Sequence, residues 1–196
     1  MKIVRNTVFV LMLMPGLLGA QVRPSRASLS NSDNIIVTVK GLGCTSSGSD
    51  AFDIFAYSWG TSNPSIISPG GQGTSAGKPS LSSVNIEKRF DSCSTALFKF
   101  SALGQKFPQL VLVQTDKNGD TTFEMVLTDV FVESLQLAGS SGGDDAPIES
   151  VSFVFKQIQV IPATGGPTCY DVTTQTLTCK AAPASPKVPY SLPHQL

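Results

Sequence analysis

Residues 110–137 read LVLVQTDKNGDTTFEMVLTDVFVESLQL, and this stretch decides the fold. Leu110 to Thr115 is rich in β-branched and aliphatic residues and forms a strand. Asn118-Gly119 follows, a pair that supplies the positive φ angles of a tight hairpin turn. Thr121 to Leu137 then returns as a long strand, so the middle of the chain is a β-hairpin. The Asp116-Lys-Asn-Gly-Asp120 turn has the look of a calcium loop. Its glycine stands at the fourth place instead of the sixth, and no glutamate fills the twelfth, so an EF-hand site is excluded.

The same period-two pattern extends outward in both directions. Ile35, Val37 and Val39 alternate with Ile36, Thr38 and Lys40; Phe52, Ile54 and Ala56 alternate with Asp53, Phe55 and Tyr57 up to Trp59-Gly60; Val84, Ile86, Lys88 and Phe90 continue the pattern. Downstream, Val151, Phe153 and Phe155 place the last core strand within Glu149–Ile161. Such alternation marks strands with one face toward a core, except that the second strand carries apolar bulk on both faces and is expected to be covered on both sides. A single helix interrupts the series. Asp91 or Ser92 caps its start, Cys93, Ala96 or Leu97, Phe100 and Leu103 recur at spacings of three and four, and Gly104 ends it. Between the second and third strands, Thr61–Ser80 holds Pro64, Pro69, Pro79 and four glycines, and reads as a long loop. Gly139–Pro147 reads as a second, flexible loop.

Composition bounds the function. Of 196 residues 41% are hydrophobic and 14% charged, against roughly 25% charged in an average chain. Fourteen basic residues balance fourteen acidic ones, so no long-range field draws nucleic acid or an anionic membrane. A weakly charged surface suits self-association. Lys2, Arg5, the apolar run from Thr7 through Leu18 and the small Gly19-Ala20 form a secretory signal over 1–20, cut after Ala20. Pro15-Gly16 breaks that run, which excludes a membrane span. Residues 21–33 form a flexible lead-in, 34–162 the folded domain, 163–180 an extension and 181–196 a Pro-rich disordered tail. Four cysteines remain after cleavage, and four allow three pairings. Cys169 and Cys179 flank a polar, β-branched stretch that folds back as a hairpin, so they are paired, leaving Cys44 with Cys93. A zinc site is not expected, because the chain has no Cys-x-x-Cys and its one histidine is His194 in the tail. No metal and no cofactor are expected.

Two other function classes compete with self-association. A serine hydrolase needs a held histidine, and His194 stands two residues from the C-terminus. A carboxylate pair could be drawn from Asp129, Glu133, Asp144, Asp145 and Glu149, but nothing in the spacing fixes such a pair, so the chain is expected not to be an enzyme. The alternative is a secreted β-barrel module that binds a glycan or a host surface through an aromatic platform of Phe55, Tyr57 and Trp59.

Several stretches, in order, resemble the Hcp (haemolysin-coregulated protein) tube proteins of bacterial type VI secretion. They are Val39-Lys-Gly41, Tyr57-Ser-Trp-Gly60, a glycine-rich loop into Gly77-Lys-Pro-Ser80, a strand leading into a capped helix, Leu127-Thr-Asp-Val130, the Gly139–Asp145 glycine loop and Pro147-Ile-Glu-Ser-Val-Ser-Phe153. The resemblance implies a mainly β fold, a small two-sheet β-barrel with one flanking helix. It implies hexameric rings that stack into a tube and carry secreted effector cargo, with no catalytic residue. Carried onto this chain, the subunit interface would take in Trp59, Asn63, Pro64, Ile66, Ile67 and Lys78 of the long loop, together with Asp144 and Asp145. The family pattern has neither signal segment nor disulfides, whereas this chain reads as secreted or periplasmic with both.

Overall fold

The computed structural model describes residues 34–44, 50–67, 74–141 and 146–177, and the side chains of all of these except 65–67 and 74–76. The signal segment 1–20, the lead-in 21–33 and the tail 181–196 lie outside the described residues.

The elements run in this order: β1 (Asn34–Lys40), β2 (Ala51–Ile54), β3 (Ala56–Ser58), β4 (Thr61–Ser62), β5 (Ser65–Ile67), β6 (Thr74–Ala76), β7 (Ser80–Leu81), β8 (Val84–Arg89), α1 (Ser94–Leu103), β9 (Lys106–Thr115), β10 (Thr121–Ala138), β11 (Ile148–Pro162) and β12 (Thr168–Asp171). Eight of the strands share one antiparallel sheet in the order β2-β1-β9-β10-β11-β8-β3, with β12 added on β11. The two ends of that order, β2 and β3, are consecutive in the chain. The stretch expected to be a single strand is therefore split at Phe55: Ile35 pairs with Ile54 on one side, Ala56 pairs with Glu87 on the other, and the Phe55 N–H donates to the Glu87 carbonyl at 2.9 Å. Splitting one strand between two partners joins the edges of the sheet and makes the expected mainly β barrel, which removes exposed edges.

The central hairpin is β9 and β10, and its turn differs from the two-residue form the Asn-Gly pair suggests. Only Gly119 has positive φ, at 87°, while the Gly119 N–H donates to the Asp116 carbonyl at 3.0 Å and the Asp116 carboxylate accepts from the N–H groups of Asn118 and Asp120. One aspartate side chain organises the loop, so a longer turn with a single left-handed glycine results. The long strands bend. The β10–β11 register slips between Val132 and Ser134, and Asp129 has φ of 50°. Such irregularities add the local twist that closure requires.

Inward residues of every barrel strand form one core, including Val37, Val39, Ile86, Leu110, Leu112, Met125, Leu127, Val151 and Phe153. The helix α1 packs on β10 and sends Leu97 fully into that core. Phe107 meets Phe100 of α1 and Phe153 of β11 edge to face, with ring centroids 5.8 and 6.1 Å away. The expected helical face is narrower than its spacing suggested: Leu103 is 58% exposed. The cap also differs. Cys93 is the N-cap residue and makes no side-chain cap bond; the Asp91 carboxylate, two residues before the N-cap, accepts from the Cys93 N–H at 2.8 Å. Gly104 ends the helix in the left-handed conformation, as expected.

Candidate functional site

The segment expected to be a long loop is a two-stranded arm. Thr61 and Ser62 pair with Leu81 and Ser80 at its root, and Ser65, Ile66 and Ile67 pair with Ala76, Ser75 and Thr74 further out. Its prolines do not prevent this, because Pro64 and Pro79 sit in the interruption between the two ladders, where no strand N–H is required of them. Residues 63–64 oppose residues 77–79, so the register slips by one. At this kink the Gly77 N–H donates to the Pro64 carbonyl at 2.7 Å, and a Cβ on Gly77 would stand 2.7 Å from that oxygen and 2.8 Å from the Pro64 ring. Only glycine permits that approach. At the root the Gly60 N–H donates to the Ser82 hydroxyl and the Ser82 N–H to the Gly60 carbonyl. All described side chains of residues 61–64 and 77–80 are exposed.

The barrel beneath the arm is tied by charged and covalent links. Lys88, on the inward side of β8, is fully buried. Its ammonium lies 3.1 Å from Glu149 Oε1, 2.8 Å from Asp91 Oδ1, 3.0 Å from the Ser94 hydroxyl and 2.9 Å from the Arg89 carbonyl, and 5.0 Å from the centre of the Phe52 ring. One side chain thus fastens β8, β11 and the start of α1. Burying a charge is tolerated because every donor finds an oxygen. Glu149 Oε2 is buried without a hydrogen-bond partner among the described residues. Close by in sequence, Cys93 at the head of α1 is bonded to Cys44, and the Asp50 carboxylate accepts from the N–H groups of Gly43 and Cys44. The expected Cys44–Cys93 pairing is therefore present. Cys169 on β12 is disulfide-bonded as well, while Cys179 lies outside the described residues. The fold-back expected before Cys179 is a short turn joined by an Asp171–Thr176 bridge. Hydrogen bonds from the Gln157 amide, then the Thr173 hydroxyl and the Thr174 N–H, hold the Asp171 carboxyl well below the usual carboxylate range.

Of the residues expected at an interface, Asn63, Pro64 and Lys78 are exposed on the arm, Ile66 and Ile67 lie in its outer ladder, and Asp144 and Asp145 lie outside the described residues. Trp59 is half-buried at the arm root against the core. The aromatic platform is not assembled as one surface. Tyr57 stacks on Phe123 at 5.7 Å and donates to Gln114 Oε1, whereas Phe55 lies under the Arg89 guanidinium. The described candidate acids also go separate ways: Asp129 pairs with Lys106 at 3.0 Å, Glu133 accepts from the Ser83 hydroxyl, and Glu149 serves Lys88. The Lys88–Glu149 pair was not foreseen, although a signal existed: Lys88 falls on the inward parity of Val84 and Ile86, and Glu149 on that of Val151 and Phe153.

A closed antiparallel barrel with a helix on its flank and a hairpin arm standing out from one edge defines the class of scaffold. The chain belongs to the Hcp family: the family described as "Type VI secretion system effector, Hcp" matches residues 32–161. No curated protein matches it in sequence. Among solved structures it is similar to a "type six secretion system protein", at 22% identity and a TM-score of 0.67, covering 74% of this chain and 99% of that one. It is likewise similar to Hcp1 from Salmonella typhimurium, at 22% identity and 0.60 over 74% and 97% of the two chains. A type VI secretion system effector from Yersinia pestis matches at 18% and 0.55 over 70% and 99%. The extension after residue 161, which carries β12, lies beyond the family match.

Proposed function

We propose that copies of this chain assemble side by side into a hexameric ring, that rings stack into a tube carrying secreted effector cargo, and that the arm reaches a neighbouring subunit. The observation that carries this reading is the arm itself. An isolated two-stranded hairpin is marginal in water, and beyond Leu81, which packs against the core, the described side chains of residues 61–64 and 77–80 are exposed, so this part of the arm lacks a packed face of its own. Residues Asn63, Pro64, Ile66, Ile67 and Lys78 supply that contact, with Trp59 at the root and Asp144 and Asp145 on the glycine loop.

Apolar residues on the barrel wall support lateral packing. Phe131 and Val154 stand opposite one another on β10 and β11 and are 39% and 37% exposed, and Phe98 of α1 is 63% exposed. Rings use heterologous contacts in which one patch meets a different patch on the next copy. The role needs no catalytic group. The Cys44–Cys93 bond favours an oxidising compartment, so the chain acts after export, as a secreted or periplasmic protein cut after Ala20.

Light scattering on the protein purified from Gln21 onward tests the assembly, and a mass six times that of the subunit is expected. A monomer at high concentration that instead retains glycan would overturn the ring in favour of a binding module. Sequencing the N-terminus of the periplasmic protein tests the export; an intact Met1 found only in the cytoplasm would overturn it.

A further inference from the structure

Where the arm root meets the extension, the surface opens into a groove of about 440 Å³. Its walls are Trp59 and Leu81 from the arm root, Ile158 and Val160 from β11, Tyr170 from β12, and Leu177. No charged residue lines it. The volume lies within the roughly 300–1,000 Å³ of ordinary ligand pockets. The hydroxyl of Tyr170 is buried and has no hydrogen-bond partner among the described residues. An apolar, aromatic-walled groove calls for an occupant that brings apolar surface. Part of the wall, Thr168, Tyr170 and Leu177, comes from beyond the Hcp match.

We propose that the groove binds the Pro-rich C-terminal segment of the same chain, residues 183–196. Three features select this occupant. The described chain ends at Leu177, which is itself a wall of the groove and 70% exposed. Pro183 follows six residues later, a distance of roughly 19 Å at about 3.1 Å per residue, enough for the segment to turn back. The prolines at 183, 186 and 189 recur every third residue, the period of a polyproline II helix, which places all three on one edge with unbonded carbonyls facing outward. Proline-rich segments in this form dock on aromatic-lined grooves, and attachment in the same chain holds the segment near the groove at a high effective concentration. Pro186 and Pro189 would pack on Trp59 and the ring of Tyr170.

Trp59 is the sole tryptophan of the chain, so its fluorescence reports on the arm root and the groove. Ending the chain after Lys180, with all four cysteines retained, is expected to shift its emission to the red and raise its quenching by acrylamide. A synthetic peptide of residues 181–196 is expected to reverse both changes saturably. In the full-length chain Pro186→Ala with Pro189→Ala is expected to reproduce the truncated spectrum, which guards against a truncation that misfolds. Identical spectra for all three proteins would overturn the proposal. So would protection of Trp59 that disappears on dilution, since a second copy would then be the occupant. Comparing the three proteins at a dilution where light scattering shows only monomers removes any ring contact at Trp59, so failure of the segment to dock is distinguished from failure of ring assembly.

Discussion

The barrel and the arm are built from the same kind of strand pairing, and they hold their register for opposite reasons. In the barrel each slip of one residue would carry Val37, Ile86, Leu112, Met125 or Phe153 from the core to solvent, so side-chain burial fixes the pairing. In the arm the described side chains of residues 61–64 and 77–80 are all exposed, and backbone geometry fixes it through Gly77, Pro64 and Pro79. A region held by burial is stable alone. A region held by backbone pairing waits for another surface.

That contrast can be broken most forcefully at Lys88. Lys88→Met strands the Glu149 carboxylate in the core and should cost about 3–5 kcal/mol in urea unfolding. Adding Glu149→Leu should recover most of the loss, because the cost lies in the unpaired charge. A single variant as stable as the parent would mean that the pair does not fasten the barrel. Next in size is the link between Cys44 and Cys93, which are 49 residues apart. Replacing both by serine should lower stability by about 2–4 kcal/mol, read as a lower unfolding midpoint than that of the oxidised parent.

A smaller effect is expected at Asp171, and its sign follows from linkage. Hydrogen bonds hold this carboxyl below its usual range, so its stabilisation is present above the unfolded value of about 3.9 and fades as pH falls toward the folded one. Asp171→Asn should melt below the parent at pH 7, and the gap should narrow by pH 3. A gap that widened in acid would reverse the assignment. The smallest effect on stability belongs to the arm. Gly77→Ala drives a Cβ against the Pro64 carbonyl and should leave barrel unfolding unchanged while the hexamer fraction in light scattering falls. A loss of barrel stability there would erase the distinction between the two regions, and an intact hexamer would remove the arm from the interface.

Much of this architecture was legible in local pattern. The alternation at Ile35–Val39, Val84–Lys88 and Val151–Phe155 placed strands where they are found, and Gly104 marked the helix end. Proline misled at Thr61–Ser80, because the composition suggested that no ladder could form. The pairing that exists depends on Pro64 and Pro79 falling in the gap between ladders, which composition does not record. Leu103 misled in the same manner: its spacing matches Leu97 and Phe100, yet it is the last residue of the helix and stays exposed.

The amino-acid sequence by itself determined which residues face inward, where the single helix lies, that cysteines could be bridged and that the chain resembles Hcp. These follow from periods of two and 3.6 residues and from short motifs, and both are properties of neighbouring positions. Only the tertiary structure decided that the strand through Phe55 is shared between β1 and β8, that Lys88 meets Glu149 across 61 positions, and that Trp59 and Tyr170 wall one groove. Those outcomes depend on which distant segments come together, and a periodic pattern specifies a face without specifying its partner.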